Sequence, residues 1–324
     1  RCARRLLTRT YCRSATTRRG SSLHCCVERS GMRAAWLRRQ SKQVASQSSQ
    51  RSLTRAAARA HDVDAMVSAA DLLLARARFD SVADIDQRAS AFAASGAPLG
   101  QYGIYGEMGL RAIADVLLLP SVRERTGPTR RFVDFGSGSG RLILGVAAMA
   151  EWEACTGIEA VTGLHAIACE CIDSAEANEA IPPGLVTSVL ADGLPHVDSP
   201  AVMAAADVCF MYSTAFPTAD DGLRLPEMSA SLATVMKEGS LVVTTDTLLV
   251  GRRFAFDTLK PVKGEDGDRL NCFVWRVTGA PAPSYNDAYA EVQAHWLGDD
   301  ALAENDALCE ALEAAAFAEV EEIQ

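Results

Sequence analysis

No stretch of this chain is apolar for long enough to cross a bilayer: its longest apolar runs, such as Leu142 to Ala150, fall well short of the ~18 residues that a span requires. No membrane-spanning helix is expected. Acids are almost missing from residues 1–60, which hold fifteen Lys or Arg against the single Glu28, a net charge of +14. Elsewhere 17 bases face 40 acids, so the body of the chain carries −23 although the 324 residues together carry −9. Cysteine forms no regular framework. Cys2, Cys12, Cys25 and Cys26 lie in the basic segment and the other six of the ten are scattered, which points to a reducing compartment. His165, Cys169 and Cys171 lie close in sequence, but the two cysteines point about 200° apart on a helix and no matching second pair exists. No metal site is predicted.

Hydrophobic residues make up 48% of the chain, enough for a sizeable core and too many for a chain disordered throughout. The charge split divides the sequence further. Residues 1–60, rich in Arg, Ser, Thr and Ala, have the composition of a transit segment, which implies a mitochondrion or other organelle; without such a leader the protein belongs in cytoplasm or nucleus. The sequence opens on Arg1, so the initiator is expected upstream or at an internal residue such as Met32. A basic arm gripping nucleic acid through its phosphates is the alternative, and it requires that the leader be retained. Residues 61–127 read as a helical extension: Met66, Ala70, Leu73, Leu74, Phe79, Val82 and Ile85 give an amphipathic helix broken at Ser95-Gly96-Ala97-Pro98, followed by a glycine-rich loop and a helix from Met108 to Leu119 that Pro120 stops.

Residues 128–280 alternate short apolar runs with helical stretches, the signature of an α/β protein with a mainly parallel sheet covered on both faces. Strands are expected at 132–135, 155–158, 185–190, 208–212 and 241–245, with helices near 141–149, 164–177 and 225–237. Runs at 254–259 and 272–277 flank the turn-rich segment Lys263 to Asp268 and predict an antiparallel hairpin. The fold class is thus a Rossmann-like, seven-stranded, mainly parallel sheet ending in that hairpin. Residues 281–324 form an acidic tail with a weak apolar stripe, read as one packed helix or a partner-binding one.

The strongest motif is Phe132-Val133-Asp134-Phe135-Gly136-Ser137-Gly138-Ser139-Gly140-Arg141, a strand running through alternate glycines into a helix. Such a bend lets the backbone approach a nucleotide-like ligand closely. A phosphate-binding loop would need Gly-Lys-Ser/Thr at the helix start, and a dinucleotide fingerprint would put a glycine where Arg141 stands. Asp134, two residues before the first glycine, would repel a pyrophosphate and attract a cation. S-adenosylmethionine, with an ammonium, a sulfonium and no phosphate, fits that charge. Glu159 ends the second strand, where an acid can accept ribose hydroxyls, and Asp192, beside Gly193 after the third, is placed to accept from an adenine amino group.

These residues resemble the class I S-adenosylmethionine-dependent methyltransferases over roughly residues 99–278. Within them, Tyr105-Gly106-Glu107, the glycine motif, Gly157-Ile158-Glu159, and Asp207 to Phe210 leading to Ala215-Phe216 are most similar to the non-SET lysine methyltransferases of the "disruptor of telomeric silencing" histone group. Related mitochondrial lysine methyltransferases share the Gly138-Ser139-Gly140-Arg141 ending. The resemblance implies that Tyr105 and Glu107 belong to a loop closing over the methionine part, that Gly136, Ser137, Gly138, Gly140 and Arg141 bind the cofactor, that Glu159 holds the ribose, and that Asp192 and Gly193 border the adenine. Where the histone enzymes carry paired Asn, this chain has Tyr212-Ser213, so the acceptor stays open. Tyr212, Ser213 and Phe216, at the end of the fourth strand, are the expected acceptor wall. No Asn/Asp-Pro-Pro-Tyr-type motif follows that strand, which argues against nucleic-acid bases, and the acidic body suits a Lys-rich protein target. A small-molecule methyltransferase and a catalytically silent cofactor-binding module are the competing expectations, with a nicotinamide-dependent oxidoreductase behind them.

Overall fold

Seven strands among the described residues join into one sheet in the order β3-β2-β1-β4-β5-β7-β6. They are β1 Gly127–Phe135, β2 Trp152–Glu159, β3 Val186–Leu190, β4 Val208–Met211, β5 Leu241–Thr245, β6 Phe254–Lys263 and β7 Arg269–Val277. The structure, a computed structural model, describes residues 62–95, 107–191, 200–219, 222–264, 267, 269–279, 284, 286–288 and 290. Strands β1 to β5 pair in parallel, whereas β7 runs antiparallel to both β5 and β6. This is the Rossmann-like sheet with a terminal hairpin that the apolar runs predict. The chain direction across the sheet reverses between β1 and β4, and ligands of open α/β sheets bind at the carboxyl ends of strands at such a switch point.

The helices, in chain order, are α1 Val63–Arg76, α2 Phe79–Val82, α3 Ile85–Ala94, α4 Leu110–Leu117, α5 Pro120–Arg123, α6 Arg141–Met149, α7 Thr162–Ala177, α8 Pro200–Ala205 and α9 Pro226–Val235. The amphipathic stretch after residue 61 is therefore three helices and not one. Arg78 takes a left-handed conformation at φ 57°, which ends the first run, and the Asp84 carboxylate restarts the chain by accepting the Gln87 N–H at 2.8 Å. Pro120 likewise opens α5 at its first turn, where its missing N–H costs nothing, in addition to closing the preceding helix.

Burial follows from the layering. Helix α1, capped by Asp62, buries Met66, Ala70, Leu73 and Leu74 on one face. Helix α6 is buried along nearly its whole length because it lies between the sheet and the helices α1 and α4. Gly145 makes that sandwich close: a Cβ at this position would meet Leu110 Cδ2 at 2.7 Å and Ala70 Cβ at 3.7 Å. The N-terminal helices are thus packed into the same core as the sheet. Gly145→Val is expected to lower stability by about 2 kcal/mol through overpacking, read as an earlier urea midpoint. An unchanged midpoint would mean that α1 and α4 do not pack as described.

Candidate functional site

The carboxyl end of β1 is built from groups that water would ordinarily solvate. Asp134 pairs in register with Gly157 on one side and Phe210 on the other, at the switch point of the sheet, and is only 3% exposed. After it the chain bends through Gly136, at φ 82°, where a Cβ would lie 3.1 Å from the Phe216 ring. Only glycine fits both the angle and the approach. The bend is pinned to the end of β2: the Gly136 and Ser137 N–H groups both donate to the Ile158 carbonyl, at 2.8 and 3.0 Å. Gly157 gives the bend room, since a Cβ there would lie 2.7 Å from Ser137 Cβ.

Glu159, 6% exposed, holds the same bend from below. One of its carboxylate oxygens accepts the Gly138 N–H at 2.6 Å and the other the Val161 N–H at 2.7 Å. The Ala160 backbone adds a third donor, which still leaves the carboxylate acceptor capacity for a hydroxyl. Burial raises the Glu159 pKa, while the backbone donors from Val161 and Gly138 work in the opposite direction. Asp134 is pushed well above the carboxylate range, first by burial and then by the negative charges of Glu159 and Glu107. Among the described residues, no hydrogen bond or ion pair reaches the Asp134 carboxylate.

Glu107 completes the acid cluster and, unlike Asp134, is well supplied with donors. It accepts the Ser139 hydroxyl at 2.8 Å, forms a charge-assisted hydrogen bond with Arg88, and lies 3.9 Å from Arg141. Arg141 stands at the first position of α6, directly behind the glycine bend. The fold therefore brings together Glu107, Asp134, Gly136, Ser137, Gly138, Gly140, Arg141 and Glu159. The Ser137 hydroxyl is buried with no hydrogen-bond partner, a second polar group at the bend without a protein partner. Tyr105, Asp192 and Gly193 lie outside the described residues.

The residues of the expected acceptor wall divide. Phe216 packs its ring against Phe135 at a centroid distance of 5.7 Å and over Gly136, so it borders the bend. Tyr212 is half-buried at the end of β4, next to a short 3-10 turn at Ser213–Ala215. Ser213 is fully buried: its hydroxyl donates to the Thr245 carbonyl at 3.0 Å and accepts from the Thr245 N–H at 2.8 Å and the Thr247 hydroxyl at 2.7 Å. That uses its whole hydrogen-bonding capacity. In this geometry Ser213 ties the ends of β4 and β5 together and presents nothing to an acceptor.

Three contributors have roles that the sequence does not announce. Arg88 sits in α3, 19 residues before the glutamate it meets. Ser139 and Gly157 stand inside the quoted motifs, but nothing in the sequence assigns Ser139 the contact with Glu107 or Gly157 the space for Ser137. Away from the site, Cys169 approaches His165 Nε2 at 3.5 Å while Cys171 is buried on the other side of α7. Among the described residues, no group of three His, Cys, Asp or Glu is arranged to hold a metal ion.

No protein-family model matches the chain, and no curated protein matches it in sequence. Among solved structures it is similar to TrmN from Thermus thermophilus, with 15% identity and a TM-score of 0.37 over 51% of this chain and 49% of that one. It is also similar to TrmK from M. capricolum, in complex with its cofactor product S-adenosyl-homocysteine, with 8% identity and a TM-score of 0.34 over 48% and 65%. A third likeness is to the [4+2]-cyclase SpnF, with 17% identity and a TM-score of 0.38 over 59% and 93%. The chain thus spans about half the length of TrmN and under two thirds of TrmK. At these identities and scores, none of the likenesses decides a cofactor or a reaction for this protein.

The raised pKa of Asp134 has a definite sign in stability. Below the unfolded value of about 4 the carboxyl is protonated in both states and carries no penalty. As pH rises through the higher folded value, the native state must ionise a buried acid beside two others and loses stability. Asp134→Asn is therefore expected to raise the Tm of the ligand-free protein at pH 7 by a few degrees, with the gain vanishing near pH 4. A variant less stable than the parent at pH 7 would contradict this account of the cluster.

Proposed function

We propose that this protein is a class I S-adenosylmethionine-dependent methyltransferase and that its acceptor is a protein lysine side chain. The observation that carries the reading is the cluster of Asp134, Glu159 and Glu107 around a glycine bend at the sheet's switch point. A pyrophosphate placed there would meet three carboxylates; a ligand bearing cationic groups and a ribose meets attraction and ready acceptors. In this reading Asp134 and Glu107 attract the charged methionine end, Glu159 accepts from the ribose hydroxyls, and Ser137 and the bend supply close backbone approach. Asp192 and Gly193 border the adenine. Bound S-adenosylmethionine supplies a methyl group activated by its sulfonium.

The chain's own part in the chemistry is to orient the acceptor and exclude water. A lysine amine has a free pKa of about 10.4 and must be neutral to react. The Phe135 and Phe216 rings give the bend an apolar flank, and with half-buried Tyr212 they disfavour the ammonium form by desolvation. With Ser213 occupied in the β4–β5 tie, Tyr212 and Phe216 are the acceptor-wall residues we retain. The body's −23 charge supports a lysine-rich target through steering.

Three measurements test the reading. Calorimetric titration is expected to give binding of S-adenosylmethionine to the parent and at least tenfold weaker binding to Asp134→Asn, the scale of one lost charge-assisted contact. Binding of nicotinamide dinucleotide instead would overturn it. Incubation with labelled S-adenosylmethionine and a lysine-rich protein extract should place label on lysine, read by mass spectrometry; label confined to small molecules would reassign the acceptor. Tyr212→Ala should reduce turnover more than cofactor affinity, whereas equal losses would make Tyr212 a packing residue.

A further inference from the structure

Helix α3 joins this site by two contacts three residues apart. Ala91 lies against Gly163 at the start of α7, so closely that a Cβ on Gly163 would be 3.0 Å from the Ala91 methyl and 3.3 Å from its carbonyl oxygen. That approach fixes the helix in place and register. On the same helix, the Arg88 guanidinium lies 5.7 Å above the Phe79 ring and forms a hydrogen-bonded ion pair with Glu107. Both side chains are largely buried, at 15% and 18% exposed, so the pair is weakly screened. The other Glu107 oxygen takes the Ser139 hydroxyl of the glycine bend. An uninterrupted chain of contacts thus runs from Gly163 through α3 and Glu107 to the bend.

We propose that Arg88 is a positioning residue of the cofactor site, acting through Glu107, so that the N-terminal helical segment is part of the binding machinery. The proposal rests on the cofactor reading above. Glu107 sits among like charges, since its own charge helps push Asp134 upward. Without Arg88, Glu107 would keep the looser contact with Arg141 at 3.9 Å but lose the hydrogen bond that sets its direction, and its other oxygen would drift from the bend. Arg88 holds it there. The guanidinium, planar and permanently charged, does this from a fixed direction because Phe79 and the Ala91–Gly163 contact restrain its helix.

The test is a double-mutant cycle on the full-length protein, with S-adenosylmethionine affinity measured by calorimetry. Arg88→Met should weaken binding about tenfold and Arg88→Lys should recover most of that loss. In a Glu107→Gln background Arg88→Met should change affinity by less than about twofold, because the residue through which it acts is already disabled. Circular dichroism melts of each variant identify any that fail to fold, in which case Arg88→Lys and Glu107→Gln complete the comparison. Parent-like affinity in Arg88→Met, or fully additive losses in the double variant, would overturn the positioning role while leaving the cofactor reading intact. Failure of the parent itself to bind S-adenosylmethionine would overturn the cofactor reading, and the proposal with it.

Discussion

Three buried or half-buried carboxylates that repel one another are held at one end of a sheet, and most of the local architecture serves to keep them there. Glu159 is held by backbone N–H groups, Glu107 by a hydroxyl and arginine, and Asp134 by nothing but the strand that carries it. Such an arrangement is costly in the ligand-free protein and is seldom retained for stability alone. It makes sense as a site whose electrostatics are completed by a cation. Three carboxylates at the bend also disfavour the phosphate ligands that glycine bends of similar appearance usually receive.

The rest of the scaffold makes that field rigid. The bend hangs from the Ile158 carbonyl, and the β4 end is locked to β5 through the Ser213, Thr245 and Thr247 hydroxyls. A further bond from the Trp275 indole to Thr244 ties β7 into the same network. Fully satisfied polar groups of this kind specify one arrangement of neighbouring strand ends. They leave Phe216 and Tyr212 at a fixed edge.

The sheet was legible because its signals are local and strong: apolar runs, glycines after the first strand, and an acid ending the second. The bounds of α6 coincide with the expected 141–149 helix, and β5 with 241–245, since a glycine turn, at Gly140 and at Gly239, comes just before each. The division of residues 63–94 into three helices was not legible, because the break depends on Arg78 adopting a left-handed backbone that its residue type does not announce. The role of Ser213 was hidden for another reason. A serine after a strand looks alike in sequence whether it meets a ligand or, as here, threonines 32 and 34 residues further on. Arg88 was invisible on the same ground: its partner is fixed by packing of α3 on α7, not by spacing.

One feature of the sheet bears on how the chain reaches this state. Strand β7 lies between β5 and β6, so β6 has no neighbour to join until the segment after it has been made. During synthesis the β5 edge, apolar through Leu241, Val242 and Val243, emerges with its hydrogen-bonding groups open and stays so until residue 277 arrives. The carboxylate cluster is therefore built from strands that precede the one that completes the sheet. A nascent chain stalled between residues 245 and 269 would expose an adhesive border, and it is at this interval that chaperone engagement would matter most.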